Sequence, residues 1–138
     1  MFPARPRAQG GSSLVGRLLS IIDDDEDVRQ SLLALIESVG YSARLFASAE
    51  EFLASDAWTE TCCILSDVQM AGMSGIELAD RLAQSGSRIP IILITAYAKD
   101  NQSFALSRPG VVAVLPKPLQ LNALIEQIGR ALDSGAAG

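Results

Sequence analysis

Ile64-Leu65-Ser66-Asp67-Val68-Gln69-Met70 runs directly into Ala71-Gly72-Met73-Ser74-Gly75. The apolar residues 62–65 read as a short buried strand that ends on an aspartate, and a glycine-rich turn follows. In open α/β sheets, ligands bind just past the carboxyl ends of the strands. A carboxylate placed there meets solvent yet is held by a rigid strand, which suits a nucleophile or a metal ligand. A lone aspartate at a strand end is more often a turn cap. Reading Asp67 as a phosphate acceptor therefore depends on what the rest of the chain brings to the same rim.

Outward from this stretch the same unit recurs. Residues 18–22 form an apolar run that ends in Asp23-Asp24-Asp25-Glu26-Asp27. Val28, Leu32, Leu35, Ile36 and Val39 then recur at helical spacing, with Gly40 as the stop. A second strand is expected over 42–46. Ser48 with Glu51 reads as a capping box, opening a short helix that closes near Trp58. The third strand covers 62–66. Ser74 with Glu77 makes a second capping box, with Ile76, Ala79 and Leu82 on one helix face. Pro90 leads a fourth strand, 91–95. After the segment 96–100 comes a weaker, more polar helix over 101–107, stopped by Pro109-Gly110. The fifth strand spans 111–115, Pro116-Lys117-Pro118 turns the chain, and Leu121, Leu124, Ile125, Ile128 and Leu132 line a last helix. Residues 133–138 read as a frayed end.

Five repeats of strand then helix argue for a five-stranded parallel sheet, doubly wound and flavodoxin-like, covered on both faces. Right-handed crossovers limit the topologies, and the strand order 2-1-3-4-5 places strands one and three together at the switch point. Asp23, Asp24, Asp67, Thr95 and Lys117 then converge on one rim. One or two acids suffice to cap a helix. Five in a row repel one another and point to a cation. Magnesium prefers oxygen ligands and takes one or two carboxylates plus phosphate oxygens. Lys117 supplies a point charge and Thr95 a hydroxyl donor. Carboxylate nucleophile, metal, ammonium and hydroxyl are the parts that phosphoryl transfer to aspartate requires.

Composition narrows the classes. The chain has 138 residues, 49% of them hydrophobic, enough for one packed domain. A net charge of -5 argues against a general nucleic-acid surface. No run of the sequence is apolar enough to span a membrane, and the first residues lack the apolar core of a signal peptide, so a cytoplasmic protein is expected. The absence of histidine excludes His-based catalysis. Adjacent Cys62 and Cys63 read as small reduced core residues. Residues 1–16, with two prolines and three glycines, have the composition of a disordered tail.

Asp23-Asp24, then Asp67 in Ser-Asp-Val-Gln-Met-Ala-Gly-Met-Ser-Gly, then Thr95-Ala96, then Lys117-Pro118, resemble the receiver domain of bacterial two-component response regulators, over about 18–132. The wording around Asp67 is most similar to receivers attached to helix-turn-helix output domains. The resemblance implies that Asp67 is the phosphoacceptor, and that Asp24 and Asp67 hold Mg²⁺ directly with the backbone carbonyl of Gln69. It implies that Asp23 acts through a metal-bound water, Thr95 swings toward the phosphoryl group, and Lys117 bridges to it. It further implies a cis Lys117–Pro118 bond. The family's chemistry is limited to its own phosphorylation and slow autodephosphorylation. The implied partner is a sensor histidine kinase or a histidine phosphotransfer protein, and the implied assembly is a phosphorylation-dependent homodimer through the fourth helix and fifth strand. No membrane or direct nucleic-acid contact is expected of this domain.

Two positions depart from the pattern. Ala71 stands where the family usually has proline, and Val114 where a Tyr or Phe commonly reports phosphorylation. The expected organisation is a tail over 1–16, a receiver over 17–133 and a short end over 134–138, either standing alone or cut from a longer regulator. A haloacid-dehalogenase-like phosphatase also uses an aspartyl phosphate, but its Asp-x-Asp motif fails in register after the first strand, and its nucleophile would sit on the wrong strand. A pseudo-receiver, binding proteins without phosphorylation, is the alternative that the fold alone allows.

Overall fold

The computed structural model describes residues 17–96 and 103–137. The elements are β1 (Leu18–Ile22), α1 (Glu26–Ser38), β2 (Ser42–Phe46), α2 (Ala49–Ala54), a 3-10 turn (Ala57–Thr59), β3 (Thr61–Asp67), α3 (Gly75–Gln84) and β4 (Ile91–Thr95). A helical turn at 103–106, α4, precedes β5 (Val111–Pro116) and α5 (Leu121–Ala137). The strands form one parallel sheet in the order β2-β1-β3-β4-β5. This is the doubly wound arrangement that the alternation of strands and helices predicts.

Two apolar layers cover the sheet. Leu19, Ile21, Leu65 and Ile92 pack with Leu32 and Ile36 of α1 and with Leu124 and Ile128 of α5. Ile22, Ile64 and Leu93 pack on the other side with Phe52 of α2, Leu78 and Leu82 of α3, and Ala105 of α4. Successive strand residues alternate between these layers, which is why the central strands β1, β3 and β4 are mostly apolar, whereas the edge strand β2 carries Ser42 and Arg44. The registers bring the strand ends to one rim: Ile22 pairs with Ser66, Asp67 with Ile94, and Thr95 with Pro116.

Local details differ from the sequence reading at several places. Strand β3 extends one residue further at each end than 62–66, and β5 continues to Pro116, because pairing with neighbours rather than apolarity sets strand length. The capping box at Ser48 is half-formed: Ser48 accepts from Glu51 N–H, but Glu51 Oε1 accepts from Ala47 N–H. Helix α2 stops at Ala54, and the 3-10 turn carries the chain past Trp58. The box at Ser74 and Glu77 is complete. Leu121 does not line the core; it is 55% exposed at the first turn of α5. That helix runs on to Ala137 rather than fraying from Asp133. Residues 97–102, including the start of the expected fourth helix, lie outside the described residues.

Candidate acidic site at the carboxyl rim of the sheet

Asp23 follows the last residue of β1, and its position is fixed from three sides. Its N–H donates to Phe46 O (3.1 Å), its carbonyl accepts from Arg29 Nη1 (2.6 Å), and its Oδ1 accepts from Asp25 N–H (2.8 Å). Asp25 itself caps α1, accepting from Asp27 and Val28 N–H. Glu26 and Asp27 lie in the first turn of α1, where the helix dipole favours them. The run of five acids therefore divides. Three serve the helix start, and Asp23 and Asp24 face the rim.

Asp67 ends β3. Gln69 N–H donates to its Oδ1 (3.3 Å), and Lys117 Nζ lies 3.3 Å from its Oδ2. The turn beyond packs tightly back: Gly75 N–H donates to Val68 O, and a Cβ at Gly75 would lie 2.6 Å from the carbonyl oxygen of Asp67. Only glycine permits that approach, so the start of α3 fixes the backbone of Asp67. Carboxylate oxygens of Asp23, Asp24 and Asp67 lie within 4.8 Å of one another. Asp23 and Asp67 are buried and Asp24 is exposed, so the cluster opens to solvent on the Asp24 side. Burial raises the Asp23 pKa above its ordinary value, and the charges of Asp67 and Asp24 push the same way. The Asp25 N–H and the Lys117 charge oppose them.

Thr95 ends β4 and is fully buried. Its carbonyl accepts from Lys117 N–H (3.0 Å), which ties the loop after β5 to the end of β4. Lys117–Pro118 is cis, as the resemblance implies. Val114 is buried in the layer shared with Ala105, Val111 and Leu93. Cys63 is buried and Cys62 half-buried, with no disulfide between them. Burial, with Cys62 beside it, pushes the Cys63 thiol up to about 12, so it stays protonated and inert.

The structure thus brings together Asp23, Asp24, Asp67 and Lys117, with Thr95 and Gln69 on the adjoining strand end and turn. The donor set is hard oxygen only, which suits a magnesium-like cation rather than a soft metal. Sequence reasoning missed two participants. Arg29 holds the Asp23 carbonyl, and Glu50 of α2 accepts from Met73 N–H (3.0 Å) on the turn after β3. The Arg29 contact lies about one turn into α1. The Glu50 contact spans 23 residues, and no local pattern signals it.

An open α/β sheet with its polar site at the switch point between β1 and β3 is a flavodoxin-like doubly wound fold. Residues 19–129 match the family model of the response regulator receiver domain, and the chain belongs to that family, which serves two-component systems. It is 34% identical over 119 residues to the transcriptional regulatory protein FixJ of Bradyrhizobium diazoefficiens, covering 84% of this chain and 58% of FixJ. It is 32% identical over 112 residues to the transcriptional regulatory protein TdiR of Thauera aromatica, covering 81% of this chain and 49% of TdiR. The chain thus spans about half to three-fifths of the length of these relatives. A solved CheY-like response regulator receiver domain protein from Methanospirillum hungatei superposes with a TM-score of 0.78 at 28% identity, covering 91% of this chain and 98% of that one. No helix among the described residues is long and apolar enough to cross a membrane.

Proposed function

We propose that this receiver accepts a phosphoryl group on Asp67 from a histidine kinase or a histidine phosphotransfer protein, and that Mg²⁺ supports the transfer. The observation that carries the reading is the buried Asp67 carboxylate with Lys117 Nζ at 3.3 Å and two further carboxylates beside it. Asp24 and Asp67 would hold the cation directly with the Gln69 carbonyl, and Asp23 through a water. When bound, Mg²⁺ would neutralise the clustered carboxylates and the incoming phosphoryl oxygens. An Asp67 oxygen attacks phosphorus as the bond from phosphorus to the donor histidine nitrogen breaks, and that nitrogen keeps the electron pair. Lys117 pairs with a phosphoryl oxygen, and the Thr95 hydroxyl turns to donate to another.

The readout is a change on the face of α4 and β5. Phe104, Leu106 and Val112 are three of the four large apolar side chains exposed among the described residues, and all belong to α4 or β5. A second copy docking on this face after phosphorylation accounts for that exposure. In the longer relatives the equivalent stretch is joined to further chain, and a helix-turn-helix output domain is the attachment proposed here. The domain itself works in the cytoplasm, away from membrane and nucleic acid.

Intact-mass measurement after incubation with acetyl phosphate tests the reading. One phosphoryl group should add in Mg²⁺ and none in chelator, and Asp67→Asn should stay unmodified. Equal labelling of Asp67→Asn, or no labelling of the wild type, would leave the pseudo-receiver as the better description.

A further inference from the structure

The turn after β3 is tied down from two directions. Ala71 N–H donates to Asp24 Oδ2 at 3.2 Å, and Met73 N–H donates to Glu50 Oε2 at 3.0 Å. Between them Gly72 has φ +80°, and a Cβ there would lie 2.6 Å from Glu50 Oε2. The left-handed backbone favours glycine there, and the Glu50 carboxylate fills the space beside it. Asp24 reaches in from the end of β1, and Glu50 from the first turn of α2. Gln69 lies two residues before Ala71 on the same turn, its own N–H bonded to Asp67 Oδ1.

Asp24 is the exposed member of the acidic cluster. Repulsion from Asp23 and Asp67 drives its carboxylate outward, and an exposed side chain loses rotamer freedom when it takes a cation. An N–H dipole aimed at Oδ2 opposes both. We propose that the backbone N–H of Ala71 is a positioning group for the cation site. It ties Asp24 to the turn that carries the Gln69 carbonyl, so ligands from two strands form one unit before the metal arrives. Glu50 fixes the far side of that turn. This inference rests on reading Asp24 and Gln69 as metal ligands. It also gives the departure at position 71 a chemical meaning, because proline has no N–H to donate. The turn gives up a ring that would stiffen it and gains a hydrogen bond to a ligand.

Mg²⁺ affinity can be read by chemical-shift titration of the full chain. Ala71→Pro should weaken binding about fivefold, the scale of one charge-assisted hydrogen bond at a solvent-facing position. Ala71→Ser keeps the N–H and should bind as the wild type does. Equal or tighter binding by Ala71→Pro overturns the proposal, and so does an equal loss in Ala71→Ser. If Ala71→Pro does not fold, the Ala71 amide proton decides. It should exchange slowly in the metal-free wild type and move upfield in Asp24→Ala; an unprotected and unmoved amide overturns the proposal. Wild-type protein that takes no Mg²⁺ overturns the metal reading beneath it. Wild-type binding with an indifferent Ala71→Pro overturns this inference alone.

Discussion

Burial of Asp23 at the end of β1 raises its pKa above the ordinary 3.8, and the neighbouring Asp67 and Asp24 add to that. A raised value means that the folded state holds the proton more tightly than the unfolded chain does. This group's contribution to the metal-free fold is therefore most favourable below pH 3.8. It declines as pH rises through the raised folded value, and stays reduced above it. Asp23→Asn removes the charge but keeps an oxygen for the Asp25 N–H. In chelator at neutral pH it should stabilise the protein by about 1 kcal/mol, typical of relieving one unfavourable charge. The gain should shrink as the pH is lowered toward the ordinary carboxylate range. A thermal melt series against pH checks both points, and an unchanged midpoint at neutral pH would mean that Lys117 already compensates the cluster. Asp67 is a different case. It has its own cation at 3.3 Å, so removing its charge also strands Lys117.

At the scale of the element, the described turn of α4 is held by few buried side chains. In the described turn at 103–106 only Ala105 is buried, while Phe104 and Leu106 face solvent. Its fastening is a side-chain fork just beyond it. Arg108 Nε and Nη2 both reach Asp80 Oδ1 of α3, at 2.8 and 2.7 Å, and the guanidinium lies over the Phe104 ring. The pair is half-buried, so a contribution of about 1 kcal/mol is expected. Arg108→Ala should raise hydrogen exchange across 103–108 about fivefold, the same energy expressed as a rate ratio, with α3 unchanged. Faster exchange spread evenly over α3 and β4 would show instead that the fork supports the whole layer. Loading with beryllofluoride, a phosphoryl mimic, should alter exchange in the same segment and in β5. Val114 should report little of this change, since a small buried valine has no ring to relocate. A response confined to the turn after Asp67 would mean that phosphorylation is not read out through α4 and β5.

For the molecule as a whole, the sheet was legible because both its faces are covered. The central strands had to be largely apolar, and each long helix had to carry one apolar stripe. Asp23, Asp24, Asp67 and Lys117 are far apart in sequence, but each follows or ends a strand, and parallel topology gathers strand ends on one rim. The less legible features depend on geometry that no local pattern encodes. The length of β3 follows its pairing with β1 and β4. Which acids of the run 23–27 face the site follows the start of α1 at Glu26. Glu50 and the Ala71 N–H enter only when α2 and the turn after β3 are seen side by side. Under the proposed function all of these features serve a phosphoryl group on one oxygen of Asp67. An acyl phosphate, unlike a carboxylate, is reduced by borohydride, so the acceptor can be trapped and located by peptide mass mapping. After acetyl phosphate and Mg²⁺, the aspartate at position 67 should be recovered as homoserine, with Asp23 and Asp24 unchanged. Reduction at Asp23 or Asp24 instead, or at no residue while the protein remains folded and metal-bound, would contradict the account.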